Sequence, residues 1–210
     1  MPTLETSRLV LRRWREQDIA PMAAINAELE VMRWIGRGTT RTAGQTQMAI
    51  ERWEREWNRE GFGLFAAELK KTGELAGFVG LSVPTFLPEV MPAVEIGWRL
   101  GRVFWKQGFA TEAAKEVLRF GFKGCGLNEI VSICQIGNDA SERIMQKIGM
   151  HPERETIDPT CGRPVKVYMH PQISQVGSRR RKRRRDHLMY GVSMYAANVH
   201  HGADFEFSSL

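Results

Sequence analysis

The stretch Trp105-Lys106-Gln107-Gly108-Phe109-Ala110-Thr111-Glu112-Ala113-Ala114 sets a glycine directly before a helical apolar pattern. The first amides of such a helix lack intrahelical acceptors, and the helix dipole favours an anion in front of them. The amides of Gln107, Gly108, Phe109 and Ala110 are expected to form this cradle, with Lys106 and Thr111 at its edges. Gly108 has no Cβ and lets an anion approach the backbone. Ala110, Ala113, Ala114, Val117 and Leu118 follow at the spacing of one buried helical face, so a packed helix holds the loop. The chemistry predicted is recognition of a phosphate or pyrophosphate.

An extended stretch, Ala93 to Leu100, precedes the loop, giving the order strand, glycine loop, helix. A dinucleotide fold would need Gly-x-Gly-x-x-Gly and an acidic residue about 20 positions on, and only one glycine is in register. The Gly-Lys-Ser/Thr ending of a nucleotide P-loop is also absent. What remains resembles motif A of the GNAT N-acetyltransferases, Gln/Arg-x-x-Gly-x-Gly/Ala, with Trp105, Gly108 and Ala110 at its fixed places. Trp105 replaces the usual Gln or Arg, so the backbone is left to hold the pyrophosphate.

Asn138-Asp139-Ala140-Ser141-Glu142-Arg143-Ile144-Met145 and the following Gly149-Met150 resemble the later GNAT signature, Asn-x-x-Ala/Ser and a helix ending in Gly-Phe or Gly-Met. Locally, Asn138 reads as a helix cap, Asp139 and Glu142 as first-turn acids, and Gly149 as the left-handed residue after the helix. The opening Glu5-Thr6-Ser7-Arg8-Leu9-Val10-Leu11-Arg12 is similar to the start of the ribosomal-protein alanine acetyltransferase (Rim-type) branch. The resemblance spans about residues 3 to 170.

It implies an α+β fold, a central mixed and mostly antiparallel twisted sheet of about seven strands flanked by about four helices. It also implies acetyl-CoA as co-substrate and an amine acceptor, either a peptide N-terminus or a small molecule. Cofactor contacts then fall to the backbone of Trp98, Arg99 and Leu100, to residues 105–111, and to Asn138 and Arg143. Glu95 stands where this branch carries an acidic residue and could take the amine proton. It could equally be a strand carboxylate paired with Arg99. Many members carry a tyrosine where this chain has Met145, so Ser141 is the hydroxyl available to the leaving thiolate, or else a serine bonded to its own backbone. Trp34 is a candidate for the acceptor mouth. The alternative function is a non-catalytic acyl-CoA-binding module tethered to RNA or ribosome.

The elements that must position these residues are legible in outline. Leu4 to Arg12 alternates as one half-buried strand, Asp18 precedes a first helix, and Thr42 with Gln45 forms a capping box for a second. Ala49, Trp53 and Trp57 recur along that second helix as core. Gly63–Lys70 and Leu75–Ser82 flank a hairpin turn, and Glu129–Gln135 and two closing strands, 150–156 and 165–170, complete the sheet.

The 210 residues, 42% hydrophobic, suffice for one core in residues 1–170. Seven basic residues at 179–185 against three acidic ones leave the segment beyond 170 at +4 of the net +6, so residues 1–170 carry +2. Residues 171–210 read as a disordered extension whose basic run could contact RNA, ribosome or an anionic membrane. No transmembrane run, secretory signal or metal-ligand spacing is present, and Cys125, Cys134 and Cys161 read as reduced thiols of a cytoplasmic monomer or homodimer. Cys134, in an apolar run, is expected to be buried and not nucleophilic.

Overall fold

The computed structural model describes residues 2–171. The basic run 179–185 and the expected extension lie outside the described residues. The elements are β1 (Leu4–Glu5), β2 (Leu9–Arg12), α1 (Ile19–Ala27), α2 (Leu29–Met32), α3 (Ala43–Glu60), β3 (Leu64–Leu69) and β4 (Leu75–Ser82). There follow β5 (Glu95–Leu100), α4 (Phe109–Arg119), β6 (Glu129–Gln135), α5 (Asp139–Lys147), β7 (His151–Asp158) and β8 (Arg163–Pro171). They form one eight-stranded sheet in the order β1-β2-β3-β4-β5-β6-β8-β7. All neighbours are antiparallel except β5 and β6. The α+β GNAT-type architecture therefore stands.

The eighth strand comes from the opening segment. Thr6 and Leu9 close a turn, backbone to backbone at 2.9 Å and Leu9 N–H to Thr6 Oγ1 at 2.9 Å, so the expected single strand is a hairpin pairing Leu4 with Leu11. The fifth helix is the single turn α2. The capping box of α3 forms as read, with Gln45 N–H donating to Thr42 Oγ1 and Thr42 N–H to Gln45 Oε1. Asp18 does not cap α1. Its carboxylate turns back to accept both Arg12 guanidinium nitrogens, at 2.7 and 2.9 Å, and the Arg15 amide at 2.8 Å. A buried guanidinium needs a partner more than a helix end does.

The strands bury different side chains on each face. One face packs Ile96, Leu100, Val79 and Leu81 against Val117 and Ala113 of α4 and Met145 of α5. The other packs Phe78, Leu64 and Ala66 against Met22 and Ile25 of α1 and Ile50 and Trp53 of α3. Trp53 lies 5.0 Å from Phe78 and Trp57 4.8 Å from Phe65, as the core reading of the α3 stripe expects. β8 runs one residue past the expected end at 170, pairing Pro171 with Glu129.

Asp18→Ala should leave Arg12 buried beside only the half-buried Glu68 and cost about 3–5 kcal/mol, read by urea unfolding. A loss under about 1 kcal/mol would show that the pair behaves as a solvated surface bridge.

Candidate active site

Gly108, at φ 83°, is the residue before α4, and no side chain caps the helix. The Glu112 amide is the first to bond back, to Gly108 O at 3.0 Å. The amides of Phe109, Ala110 and Thr111 are thus left without intrahelical partners. Gln107 serves the loop otherwise: its side chain donates to Val103 O and its carbonyl accepts Arg8 Nη1 at 2.9 Å. Lys106 is held at φ 59°, so the backbone bends twice within three residues. The Trp105 indole donates to Leu100 O at 2.8 Å, tying the loop to the end of β5. A Cβ on Gly108 would meet nothing nearer than Arg8 Nη2 at 3.4 Å, but at this φ any side chain is strained. Helix-start amides without a side-chain cap fit an anion such as a pyrophosphate.

The opening hairpin braces this loop, a link the sequence reading missed. Arg8 Nε donates to Glu112 Oε2 at 2.7 Å, the Arg8 amide and Ser7 hydroxyl donate to Oε1 at 2.9 Å, and the Arg8 guanidinium lies 4.4 Å over the Phe109 ring. Burial would raise the Glu112 carboxyl, but hydrogen bonds from Thr6, Arg8 and Ser7 outweigh it and hold it at about 2.

β5 and β6 are paired at Glu95 and Val131 and then part. Ser132 Oγ donates to Ile96 O at 2.9 Å across the root of the opening. Beyond it the β5 edge, through Trp98, has no strand partner, and a cavity of about 50 Å³ fills the wedge. Trp34, Glu95, Trp98, Asn138, Ser141 and Met145 all line it. Asn138 Oδ1 accepts the Ser141 amide at 3.3 Å, so the cap forms and Ser141 is drawn toward the cavity by it. Phe86 and Asp158 also line the wedge and were not anticipated. Asp158 also accepts hydrogen bonds from the Thr160 amide and hydroxyl.

Glu95 is buried, and its Oε2 has no hydrogen-bond partner. Burial raises its carboxyl to about 8, opposed by the Ile133 amide and reinforced by Glu56 and Asp158. It does not pair with Arg99. That side chain, also buried, bonds Asn26 Oδ1 of α1 at 2.7 Å and lies 5.2 Å over the Phe78 ring, on the α1/α3 face. Arg143 is exposed on α5 and does not line the cavity. Cys134 does line it, but burial pushes its thiol up to about 12, which leaves it a poor nucleophile.

Residues 8–151 match the family model described as Acetyltransferase (GNAT) domain. The chain belongs to the GNAT acetyltransferase family. It is 30% identical to the uncharacterized N-acetyltransferase YoaA of Bacillus subtilis (strain 168), over 72% of this chain and 84% of that one. It is 29% identical to the FsC-acetyl coenzyme A-N(2)-transacetylase of Aspergillus fumigatus, over 71% of this chain and 65% of the relative. An acetyltransferase structure from Agrobacterium tumefaciens str. C58 superposes with a TM-score of 0.70 at 25% identity, covering 82% of this chain and 95% of that one. RimL, a ribosomal L7/L12 alpha-N-protein acetyltransferase in complex with coenzyme A, shares the fold at 14% identity and TM-score 0.68, over 81% of this chain and 98% of its own.

This GNAT chain is an acetyl-CoA-dependent N-acetyltransferase, which sets aside the non-catalytic module. No helix among the described residues is long and apolar enough to cross a membrane.

The raised Glu95 carboxyl sets a pH dependence of stability. Between about 4.5 and about 8 the native state holds a proton that the unfolded chain has lost, so this group's contribution falls as pH rises through that window. Thermal midpoints of Glu95→Gln and the parent should therefore diverge in favour of the variant from pH 5 to 8.5. Parallel curves would contradict a neutral, buried carboxyl.

Proposed function

We propose that this GNAT enzyme acetylates a primary amine by direct attack in a ternary complex, with Glu95 as the base. The carrying observation is the buried, unpartnered Glu95 Oε2 on the wall of the wedge. Acetyl-CoA supplies an activated acetyl group as a thioester. The amides of Phe109, Ala110 and Thr111 would hold its pyrophosphate, and the unpaired β5 edge near Trp98 would take its extended arm. Asn138 and Ser141, on the α5 side, face the same space.

An attacking amine must be neutral, and an α-amino group is already about a tenth neutral at pH 7. Glu95 takes the ammonium proton and passes it to solvent; the neutral nitrogen then forms its bond to the acetyl carbon as the carbon–sulfur bond breaks, and the second proton that the amide nitrogen must lose goes to Glu95 or to water. A carboxyl near 8 is matched to this task, because a base works best with a pKa close to the working pH. The thiolate takes a proton from Ser141 Oγ or from water. Met145 cannot donate, but a thiolate with a pKa near 8.5 needs little help. Trp34 and Phe86 supply apolar walls for the acceptor. The residues beyond Pro171 are proposed to play no part in this chemistry.

Acetyl-CoA should raise the thermal midpoint far more than NAD or ATP, because a ligand that binds only the native state stabilises it by mass action. Equal shifts would remove the cofactor assignment. Glu95→Gln should cut kcat by about 10²-fold or more with acetyl-CoA affinity kept, and remove the acid limb of the kcat/KM profile. An intact profile would make Glu95 structural. A chain ending after Gln172 should keep its fold and its acetyl-CoA affinity and lose any salt-sensitive binding to RNA; unfolding would show that the tail belongs to the body.

A further inference from the structure

Among the described residues, the buried side-chain polar atoms without a hydrogen-bond partner are Trp53 Nε1, Ser82 Oγ, Glu95 Oε2, Arg99 Nε and Arg99 Nη2. They are not scattered. Strand alternation puts Glu95, Gly97 and Arg99 on one face of β5, and the register sets Ser82 opposite Glu95, Gly80 opposite Gly97, and Phe78 opposite Arg99. Trp53 packs on the same Phe78 ring that Arg99 overlies. The face thus has an acceptor-bearing end, Glu95 with Ser82, and a donor-bearing end, Arg99 with Trp53. Between them the two strands carry glycine: Gly97 lines the wedge, whereas Gly80 is closed in by the backbone of Gly63 and Leu64.

A buried guanidinium with two idle donors is costly unless something negative reaches it. Asn26 satisfies only one of its nitrogens, and Arg41 adds repulsion. Arg12, buried in the same sheet, shows the contrast, since Asp18 and Glu68 occupy its donors. Glu95 and Arg99 do not satisfy each other either. Arg99 does not itself line the wedge; Gly97 does, and Arg99 is the next residue of β5 on that face, one pleat beyond it.

We propose that the acceptor is a small primary amine bearing an acidic group, its nitrogen at Glu95 and its carboxylate or phosphate on Arg99. This rests on the reading of Glu95 as the amine end. The side-chain-free surface at Gly97 would leave room for the short chain that joins the two charges.

The test compares acceptors that differ only in the acid: 4-aminobutyrate with its amide, 6-aminohexanoate with its amide, and O-phosphoethanolamine with ethanolamine. Release of free thiol from acetyl-CoA is followed on the full chain. The acidic member of at least one pair should win by about tenfold or more in kcat/KM, mainly through KM, as expected of hydrogen bonds to a charged group. The pair that responds tells carboxylate from phosphate. Arg99→Met should abolish the preference and Arg99→Lys should keep part of it. Should a variant fail to fold, the comparison in the parent chain stands alone. Equal or better use of the neutral members in every pair, or a preference that survives Arg99→Met, overturns the proposal while leaving the transferase site intact. Binding of acetyl-CoA with no amine turned over overturns the Glu95 reading and this proposal with it.

Discussion

The parting of β5 from β6 after the Glu95–Val131 pair is the constraint on which the site depends. A parallel ladder that stops leaves backbone amides and carbonyls without partners, and a folded chain rarely tolerates that unless something else pairs with them. Here the gap is held open from both sides. Ser132 bonds across its root, β6 is committed to β8 along its whole length, and β5 is committed to β4. The extended edge and the uncapped start of α4 lie at opposite ends of one short loop, and Trp105 fixes that loop to Leu100. In the proposed binding mode, the co-substrate would complete hydrogen bonding that the fold leaves open.

The same geometry sets the electrostatics. Glu95 is the first residue of β5, placed where the wedge begins, so it is shielded from bulk water without gaining a cation. Its neighbours Glu56 and Asp158 are acidic and push in the same direction as burial. The rest of the sheet shows what a chain does with buried charge when no ligand is involved. Arg12, Asp18 and Glu68 close on each other, and at the surface Arg8 and Glu112 brace the loop. Among the described residues, the buried side-chain polar atoms without partners belong to Glu95, Arg99, Ser82 and Trp53, which is where the proposed ligand would meet them.

Local signals were legible where they act through near neighbours. The α3 capping box, the hairpin at Lys71–Glu74, the β4 and β6 spans and the Asn138 cap each depend on residues a few positions apart, and sequence order suffices to find them. What escaped depends on distant partners. Asp18 has the composition of a cap, yet Arg12 claims it. Leu4–Arg12 alternates like one strand, yet Thr6 folds it into two. Arg8 and Glu112 are far apart in sequence, and Asp158 reaches the wedge only because β7 and β8 fold back beside β6. Arg99 alternates with Trp98 as any strand residue would, and nothing local says which face it takes or that its donors stay idle.

The central claim is that the dry wedge raises the Glu95 carboxyl to about 8, so that its carboxylate form, the base, is present in part near neutral pH and binds a proton strongly. Its titration by carbon NMR on glutamate-labelled protein, assigned by the signal lost in Glu95→Gln, reads this directly. The account predicts a carboxyl still protonated at pH 7 with a midpoint near 8. A midpoint in the ordinary carboxylate range, near 4.5, would mean that water or a cation reaches Glu95 and that the wedge is not the dry site described.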